Sequence, residues 1–308
     1  MRYLFIANPI AGKGRTKKIL PKIESFLIKN KVDYKLLVTN SADDIKFFAE
    51  NYGENFDRIV VIGGDGTIHN LINAYATKSK IVGVLPTGSG NDFAYTLGLK
   101  KSLYDDLKTL INEETHTLDI GYTVISNFDG STSSKFFVNS LGIGFDAEVA
   151  HVASKTKYIK GIILYLISVF RVLVNYNYRR INLKSQELSH EDEFLMISIG
   201  NGKTAGGGFK LTPFAEPNDG LLDVCVVKKV SKMKLLQILP LAIIGKHVKR
   251  NEVMYFQTKN LEITSEKPLY IHADGEILST NMKSIKIHVL KQYARFLTDG
   301  LAYVNEKT

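Results

Sequence analysis

The chain is poor in cysteine. Cys225 stands alone among 308 residues, which excludes an internal disulfide framework and any CxxC metal site. It lies in the apolar run Leu221–Val227, so we predict a buried strand residue rather than a reactive thiol. The seven histidines are scattered and no HExxH sequence is present, which argues against a zinc site. A reducing compartment is the simplest expectation.

Other absences restrict the function further. The sequence contains no GxxxxGK[ST], and no GxGxxG follows a strand, which argues against the P-loop and the dinucleotide-binding fingerprint. The longest apolar stretch, residues 161–174, carries Arg171 and is shorter than the about 20 residues that a membrane span needs. The apolar run at the N-terminus is too short for a signal peptide, so we expect the protein in the cytoplasm.

The charge balance is basic, with a formal net charge of +9, whereas 44% apolar and 23% charged residues are ordinary for a folded protein. A length of 308 residues is enough for two domains with their own cores. A basic surface suits nucleic acid, an acidic small molecule or an anionic membrane. Because the basic residues lack an aromatic-interleaved recognition motif, no nucleic-acid partner is expected.

Strand-like and helix-like segments alternate over the first part of the chain. This alternation predicts an α/β domain on a parallel sheet, with ligands bound beyond the carboxyl ends of the strands. The predicted strands are Tyr3–Ala7, Tyr34–Val38, Arg58–Ile62 and Ile81–Leu85. The predicted helices are Thr16–Asn30, Asp43–Asn51, Thr67–Thr77 and Ser102–Asn112.

After Thr117 the pattern changes to short β-like runs, which predicts a mainly antiparallel second domain. The runs are Phe136–Ser140, Glu193–Ile199, Leu222–Val227, Leu261–Thr264, Leu269–Ala273 and Ser284–Leu290. Two helical stretches, residues 156–175 and 232–249, interrupt them. We place the domains at residues 1–120 and 121–308, and expect the last ~15 residues to pack back on the first domain.

The most informative motif is the apolar run Val60–Ile62, followed by Gly63-Gly64-Asp65-Gly66-Thr67 and helix-favouring sequence. A strand that feeds such a turn and a helix N-terminus offers backbone N–H groups to an anion, and glycine lets a phosphate approach the backbone closely. Asp65 suits a divalent cation beside the phosphates. The motif therefore suggests a nucleotide triphosphate and a metal, although a tight strand-to-helix connection gives the same pattern.

Two more loops rich in glycine and small polar residues follow predicted strands, at residues 8–14 and 86–92. Because the carboxyl ends of parallel strands meet at one edge of a sheet, we expect these loops and the Gly63–Thr67 turn to meet there. Asn91 and Asp92 fit either an N-cap of the next helix or contacts to the nucleotide or to water around the metal.

Two motifs in the second half have a structural and a functional interpretation. Residues 216–223 predict a hairpin turn followed by a strand, or a cation site at Asp219 and nearby carbonyls. Asp274-Gly275 predicts a tight turn, beyond which Glu276 is either a solvated residue or a general base.

The two helical stretches of the second half combine apolar residues with flanking lysine and arginine. The flanking residues include Lys155, Lys157, Lys160, Arg179 and Arg180 for the first stretch, and Lys228, Lys229, Lys232, Lys234, Lys246, Lys249 and Arg250 for the second. Such stretches can lie on an anionic lipid surface, and helices packed on a sheet with a charged outer face give the same pattern.

With these motifs in view, the chain resembles the bacterial diacylglycerol kinase and lipid kinase family, whose catalytic domain sphingosine and ceramide kinases share. The resemblance spans essentially the full length and rests on Asn8-Pro9 with Gly12-Lys13-Gly14, Gly63–Thr67, and residues 86–94, 219–223 and 274–276. It implies an α/β N-terminal domain similar to those of NAD kinases and phosphofructokinases. It also implies a C-terminal β-sandwich.

The resemblance implies roles for individual residues. Those that match ATP-binding positions are Asn8, Pro9, Ile10, Ala11, Gly12, Thr39, Gly64, Asp65, Gly66, Thr67, Ile68, His69, Asn70, Ser89, Asn91 and Asp92. Asp65 looks like the acid that organises Mg²⁺ and phosphate, and Glu276 matches the proton acceptor. Glu216, Asp219 and Leu221 match a cation site, the first and last through their carbonyls. The family often has Asn-Glu where this chain has His69-Asn70, and threonine where it has Ser89.

By this resemblance, we expect an ATP- and Mg²⁺-dependent lipid kinase, with conversion of diacylglycerol to phosphatidic acid favoured. Another lipid alcohol, a soluble substrate as in NAD kinases, and a non-catalytic nucleotide- or lipid-binding regulator are the alternatives. A lipid substrate implies a peripheral position at the inner face of the membrane. An exposed β edge would allow a homodimer.

Overall fold

The computed structural model describes residues 1–75, 80–99, 102–112, 114–155, 161–186 and 188–301, apart from the side chains of Tyr75 and of residues 161–165. The end of the predicted helix Thr67–Thr77 and the start of the predicted helix 156–175, with Lys157 and Lys160, lie outside the described residues. The chain divides into two compact units: unit 1 is Met1–Leu118 with Gln292–Thr308, and unit 2 is Asp119–Lys291.

Unit 1 is built on a parallel sheet in which three strands are largely buried and apolar and the fourth, at the edge, is partly exposed. They are β1 (Arg2–Ala7), β2 (Asp33–Val38), β3 (Arg58–Gly63) and β4 (Ile81–Pro86), each within one residue of its prediction at either end. β1 lies between β2 and β3, and β4 lies on the far side of β3. A short segment near the end of the chain extends the sheet, where Arg295 and Phe296 pair in parallel with β4.

The helices of unit 1 are α1 (Ala11–Lys29), α2 (Asp43–Tyr52), α3 (Asp65–Tyr75), α4 (Asp92–Thr96) and α5 (Leu103–Ile111). The first turn of α1 is irregular, because Gly12, Lys13 and Gly14 all have positive φ, so the regular helix begins next to the predicted Thr16. Ile23 and Leu27 of α1 and Leu107 of α5 belong to one buried cluster with side chains of the sheet. This packing holds the strands in place, and with them the loops that follow their carboxyl ends. The predicted α/β class is confirmed.

Unit 2 is rich in strands, and its elements follow in chain order. The strands are β5 (Thr115–Asn127), β6 (Thr132–Phe137), β7 (Ser140–Gly144), β8 (Arg179–Lys184), β9 (Ser189–Gly200), β10 (Leu222–Lys228), β11 (Val253–Thr258), β12 (Asn260–Ala273) and β13 (Glu276–Leu297). The helices are α6 (Phe145–Ser154), α7 (Gly161–Asn175) and α8 (Lys232–Ile243). β5 begins, and β13 ends, in unit 1.

The strands of unit 2 pair in antiparallel fashion, in the order β11-β10-β9-β7-β12-β13. β9 and β12 each pair with β7 along one part of their length and with β8 along another, so the sheet curls around a buried apolar cluster. A second cluster lies between the sheet and α6, α7 and α8. Cys225 is buried in β10, as predicted. The mainly antiparallel, sandwich-like second half is confirmed.

One predicted strand is wrong in its continuity. The run Phe136–Ser140 is divided between β6 and β7. The backbone N–H groups of the residues between these strands donate hydrogen bonds to a side chain. Asp274 accepts hydrogen bonds from Val138 N at 3.1 Å and Asn139 N at 2.9 Å. Because the partner lies far away in the sequence, no local pattern revealed the break.

The predicted helix 232–249 is also shorter than expected. α8 ends at Ile243, Gly245 adopts a φ of 72°, and a separate 3₁₀ turn covers Lys246–Lys249. Glycine tolerates this left-handed conformation, which ends a helix. None of the helices in the described ranges is long and apolar enough to cross a bilayer.

Candidate active site

The carboxyl ends of the strands of unit 1 meet at one edge of the sheet, and hydrogen bonds join the loops that follow them. Asn8 N donates to Ile62 O at 2.9 Å, which connects the loop after β1 to the end of β3. Thr87 N donates to Gly63 O at 2.8 Å, which connects the loop after β4 to the end of β3. Thr39 N donates to the carbonyl of the last residue of β1 at 2.9 Å. The structure therefore brings together the three glycine-rich loops that were predicted to meet.

Glycine is required where these loops touch. A Cβ atom on Gly88 would lie 2.6 Å from the Gly64 Cα, and a Cβ on Gly12 would lie 2.1 Å from the Thr87 carbonyl oxygen. Any side chain at these positions would push the loops apart. The glycines therefore allow backbone segments of three loops to pack directly against one another.

Asp65, the first residue of α3, connects the N-termini of two helices through its side chain. Its Oδ1 accepts a hydrogen bond from Phe93 N at 3.1 Å, so it caps α4 from α3. The N-cap, one of the two interpretations of Asn91, is not made by its side chain, and this residue has a φ of 58°. The Asp65 carboxylate is thus oriented at the edge where α3 begins, and a helix N-terminus favours negative charge.

Asn91 supplies a buried polar atom that the described part of the protein leaves unsatisfied. Its Nδ2 donates to Gly88 O at 3.0 Å, but its Oδ1 has no hydrogen-bond partner although the residue is only 5% exposed. A donor group of a ligand would satisfy this oxygen. Together with the Asp65 carboxylate and the first amides of α3, it fits a phosphate-bearing ligand and its cation.

Two buried threonines at this edge were not predicted. The Oγ1 atoms of Thr16 and Thr87 lie 2.6 Å apart, in a hydrogen bond between α1 and the loop after β4. Asn8 Nδ2 donates to Thr67 Oγ1 at 3.4 Å, between the loop after β1 and the first turn of α3. Thr16 and Thr87 stand beside the glycine motifs in sequence, but only the fold shows that their hydroxyls connect α1 with the loop after β4.

The other residues matched to ATP-binding positions differ in exposure. Ile10 is 78% exposed and Ser89 is also exposed, so both side chains are accessible. Ile68 and His69 are buried in α3, where His69 Nε2 lies 3.2 Å from Asn73 Nδ2. Their side chains therefore face the interior, and a ligand would reach them through the backbone. The remaining partly exposed positions are Pro9, Ala11, Gly64, Gly66 and Asn70, and Asp92 is buried.

Replacing Gly12 with alanine is expected to destabilise unit 1 by about 1–3 kcal/mol beyond the effect of Gly14→Ala. Both glycines have positive φ, so alanine strains the backbone at either position. Only at Gly12 does the new methyl group meet the Thr87 carbonyl, since no atom lies within 4 Å of a Cβ on Gly14. Urea unfolding of both variants measures the difference. Equal free energies of unfolding would contradict the close approach of the two loops.

In unit 2, the predicted cation residues lie at the end of the long connection between the antiparallel strands β9 and β10, and the strand predicted after the turn is confirmed as β10. Leu221 N donates to Asp219 Oδ1 at 2.8 Å. Asp119, which was not predicted, organises this segment: its buried Oδ2 accepts from Gly220 N at 2.6 Å, and its N donates to Pro217 O at 2.7 Å. A lone acid within an apolar strand was the available signal for Asp119.

Acidic side chains crowd this connection. Burial raises the pKa of Asp219, and the charges of Asp119 and Glu216 raise it further. Burial also raises the pKa of Asp223, against the hydrogen bond from Tyr255. A divalent cation would offset such repulsion.

A cation here would depend on backbone oxygens. In the described ranges, no three His, Cys, Asp or Glu side chains are grouped to hold a metal ion. The use of the Glu216 and Leu221 carbonyls beside the Asp219 carboxylate stays a prediction.

Asp223→Asn is expected to raise the free energy of unfolding at neutral pH and to have little effect at pH 3. The pKa of Asp223 is higher in the folded protein than its ordinary value of 3.8, so its contribution to stability is lost as the pH rises above that value. Asparagine keeps the acceptor for Tyr255 Oη, which lies 2.6 Å from Asp223 Oδ1. Urea unfolding between pH 3 and pH 7, in EDTA, tests this. The exposed Asp33→Asn is the control, and a pH-independent difference for Asp223→Asn would contradict it.

Glu276 is the first residue of β13 and is exposed. The tight turn predicted before it is confirmed: Asp274 and Gly275 both have positive φ, at 50° and 86°, as a two-residue hairpin requires. Asp274 is buried, and its backbone N donates to Ser140 O at 2.8 Å. The turn is thus anchored to β7, which fixes where Glu276 leaves the sheet.

Two family models match successive parts of the chain. The diacylglycerol kinase catalytic domain matches residues 2–123, and the YegS C-terminal NAD kinase beta sandwich-like domain matches residues 139–290. The first match contains the strand-end loops, and the second contains the Asp219 and Glu276 motifs.

Relatives of known name match the chain over nearly its full length. The "Putative lipid kinase YtlR" of Bacillus subtilis is 28% identical over 90% of this chain and 94% of its own. A diacylglycerol kinase of Staphylococcus epidermidis is 28% identical over 94% of this chain and 90% of its own. The crystal structure of "a putative diacylglycerol kinase" from Bacillus anthracis str. Sterne superposes with a TM-score of 0.77 at 25% identity, covering 97% of each chain.

Proposed function

Because this chain belongs to the diacylglycerol kinase and lipid kinase family, we propose that it transfers the γ-phosphate of ATP, with Mg²⁺, to a lipid hydroxyl, and that diacylglycerol is the acceptor. The product would be phosphatidic acid. The observation that carries the proposal is the convergence of the glycine-rich loops on Asp65, whose carboxylate is held by Phe93 N. This arrangement supports a phosphate-and-cation site in unit 1.

The strand-end loops would hold the nucleotide. Bound Mg²⁺ supplies neutralisation of the charge on the phosphates during transfer. Asp65 would ligate this cation, and its hydrogen bond to Phe93 N would keep the carboxylate oriented. The glycines at positions 64 and 66 would allow phosphates to lie close to the backbone. Asn91 Oδ1 would accept a hydrogen bond from the nucleotide, which satisfies its buried oxygen.

Unit 2 would contribute the group that activates the acceptor. Phosphoryl transfer requires an aligned hydroxyl whose proton is removed as the new bond forms. Glu276 is an exposed carboxylate on a rigid turn, which supports its role as the proton acceptor. A second cation at Asp219 and the Glu216 and Leu221 carbonyls would stabilise the segment that Asp119 organises.

The acceptor is tested by incubating the purified protein with [γ-³²P]ATP and Mg²⁺ against a total lipid extract, against 1,2-dioleoylglycerol in mixed micelles, and against NAD. We expect one labelled lipid that comigrates with phosphatidic acid, and no labelled NAD. Transfer to NAD alone would contradict the lipid acceptor, and labelling of a different lipid would contradict diacylglycerol. Peripheral association with the membrane follows from the acceptor and is proposed with it.

A further inference from the structure

A buried pair of polar side chains connects the start of α6 with the end of β12 in unit 2. His272 Nε2 lies 3.0 Å from Asp146 Oδ2, and the two side chains are 6% and 4% exposed. Because an ionised carboxylate only accepts hydrogen bonds, Nε2 carries the hydrogen of this contact. Asp146 lies in the first turn of α6, where a helix favours negative charge. Neither side chain has a part in the chemistry proposed for Asp65 and Glu276.

The sheet leaves room for the Asp146–His272 pair at a glycine. Gly142 of β7 is the antiparallel neighbour of His272. A Cβ atom on Gly142 would lie 2.3 Å from both His272 Nε2 and Asp146 Oδ2. The imidazole and the carboxylate therefore occupy space that the side chain of any other residue would fill, and the start of α6 contacts β12 directly across β7.

The pairing of β12 with β13 is irregular just before His272. The register of the two strands shifts between Ile271 and His272. Beyond the shift, His272 lies opposite Ile277, and Ala273 lies opposite Glu276. Irregularities of this kind re-aim side chains and occur often next to active sites. The regular part of the ladder therefore does not by itself fix the direction of the hairpin end that carries Glu276.

Three consecutive side chains of β12 and its turn fix this hairpin end instead. Asp274 accepts hydrogen bonds from the backbone N–H groups of residues 138–140, which holds the turn. Ala273 belongs to the buried apolar cluster on one face of the sheet. Because side chains alternate along a strand, His272 lies on the opposite face, where Asp146 holds it. The hairpin end is thus held from β7, from the apolar core and from α6.

The Asp146–His272 pair is not arranged for stability alone. His272 Nδ1 is buried and has no hydrogen-bond partner in the part of the chain that the structure describes, which is unfavourable for a polar atom. Replacement of a buried ionic pair by apolar side chains is often neutral or stabilising. A directional contact at this position therefore indicates a requirement for geometry.

We propose that the Asp146–His272 pair positions Glu276 to accept the proton of the acceptor hydroxyl. The imidazole fixes the end of β12 against α6, and the pairing of Ala273 with Glu276 transmits this constraint. Both members of the pair are positioning residues, because they act through the backbone of the hairpin. A displacement of about 1 Å can cost about a hundredfold in rate, so a small shift of the hairpin is enough. The inference rests on the proposed function, in which Glu276 is the proton acceptor.

Steady-state kinetics with diacylglycerol micelles test the positioning role. His272→Leu is expected to lower kcat about ten- to hundredfold without changing the KM for ATP. His272→Gln keeps an amide N–H for Asp146 Oδ2 and should restore most of the rate. The double variant Asp146→Leu/His272→Leu leaves no unpaired carboxylate, so it should fold as well as the wild type and show the same loss of kcat.

Two comparisons separate positioning from a general loss of structure. His190→Leu is the matched control, because His190 Nε2 and Asp192 Oδ2 form a more exposed pair of the same type, 3.9 Å apart, and kcat should not change. In the Glu276→Gln background, His272→Leu should have no further effect on kcat, since it acts through the carboxylate that this background lacks.

Amide hydrogen exchange measures the hairpin without a kinase assay. Exchange over residues 272–278 should be faster in the double variant than in the wild type, and close to that of the wild type in His272→Gln. An unchanged kcat or unchanged exchange in the double variant, an additive loss in the Glu276→Gln background, or an equal loss in His190→Leu would overturn the inference. A wild type that phosphorylates no lipid would refute the proposed function, and the exchange comparison would still decide whether the pair holds the hairpin.

Discussion

Asp65→Asn is expected to abolish lipid phosphorylation, with kcat/KM reduced about a thousandfold or more, while the protein remains folded. Asparagine keeps an oxygen that can accept the hydrogen bond from Phe93 N, 3.1 Å from Asp65 Oδ1, so α4 keeps its cap. It removes the negative charge that is proposed to hold the cation. Initial rates with diacylglycerol micelles at several Mg²⁺ concentrations, beside the free energy of unfolding, measure both effects.

Two further variants separate charge from structure at this position. Asp65→Ala removes both the charge and the hydrogen-bond acceptor, so it should lose the same activity and about 1 kcal/mol of stability in addition. Asp43→Asn removes an acid from the first turn of α2 and should keep full activity. An Asp65→Asn enzyme with a rate near that of the wild type would contradict the role of the carboxylate at the metal, whatever its stability.

Glu276→Gln is expected to lower kcat about 10²–10⁴-fold without changing the KM for ATP, because it removes the proposed proton acceptor. Glu276 is exposed at the start of β13, so glutamine should leave the free energy of unfolding unchanged. Steady-state kinetics with varied ATP and varied lipid acceptor provide the measurement.

Glu266→Gln is the matched control, because it makes the same exchange at an exposed position of β12. Asp274→Asn serves a different purpose. The Asp274 carboxylate accepts from Val138 N, Asn139 N and Ser140 N, so this variant should lose stability as well as activity. An undiminished kcat in the Glu276→Gln enzyme would contradict the role of Glu276 as proton acceptor. The residue would then be a solvated part of the turn.

The sequence was most informative where structure depends on local pattern. The four strands of unit 1 alternate with helices, and each was predicted within one residue at either end because short runs rich in apolar residues and bounded by turn residues are typical of strands. The meeting of the glycine-rich loops followed from the geometry of parallel strands. The Asp274-Gly275 turn followed from the conformations that these two residue types tolerate.

What the sequence left open depends on contacts between distant residues. Asp65 caps α4 although Asn91 stands next to that helix, because the fold brings the carboxylate to Phe93 N. Asp119 binds Gly220 N across about a hundred residues, and no spacing rule connects the two. The left-handed conformation of Gly245 separates α8 from the 3₁₀ turn Lys246–Lys249, and a run of helix-favouring neighbours concealed this break.

The most direct test of the account is a crystal structure with a non-hydrolysable ATP analogue and Mn²⁺, in which anomalous scattering locates the metal. We predict a metal coordinated by the Asp65 carboxylate and by phosphate oxygens, with the phosphates over the loops after β1, β3 and β4. A nucleotide bound elsewhere, or a metal at the phosphates that the Asp65 carboxylate does not touch, would contradict it.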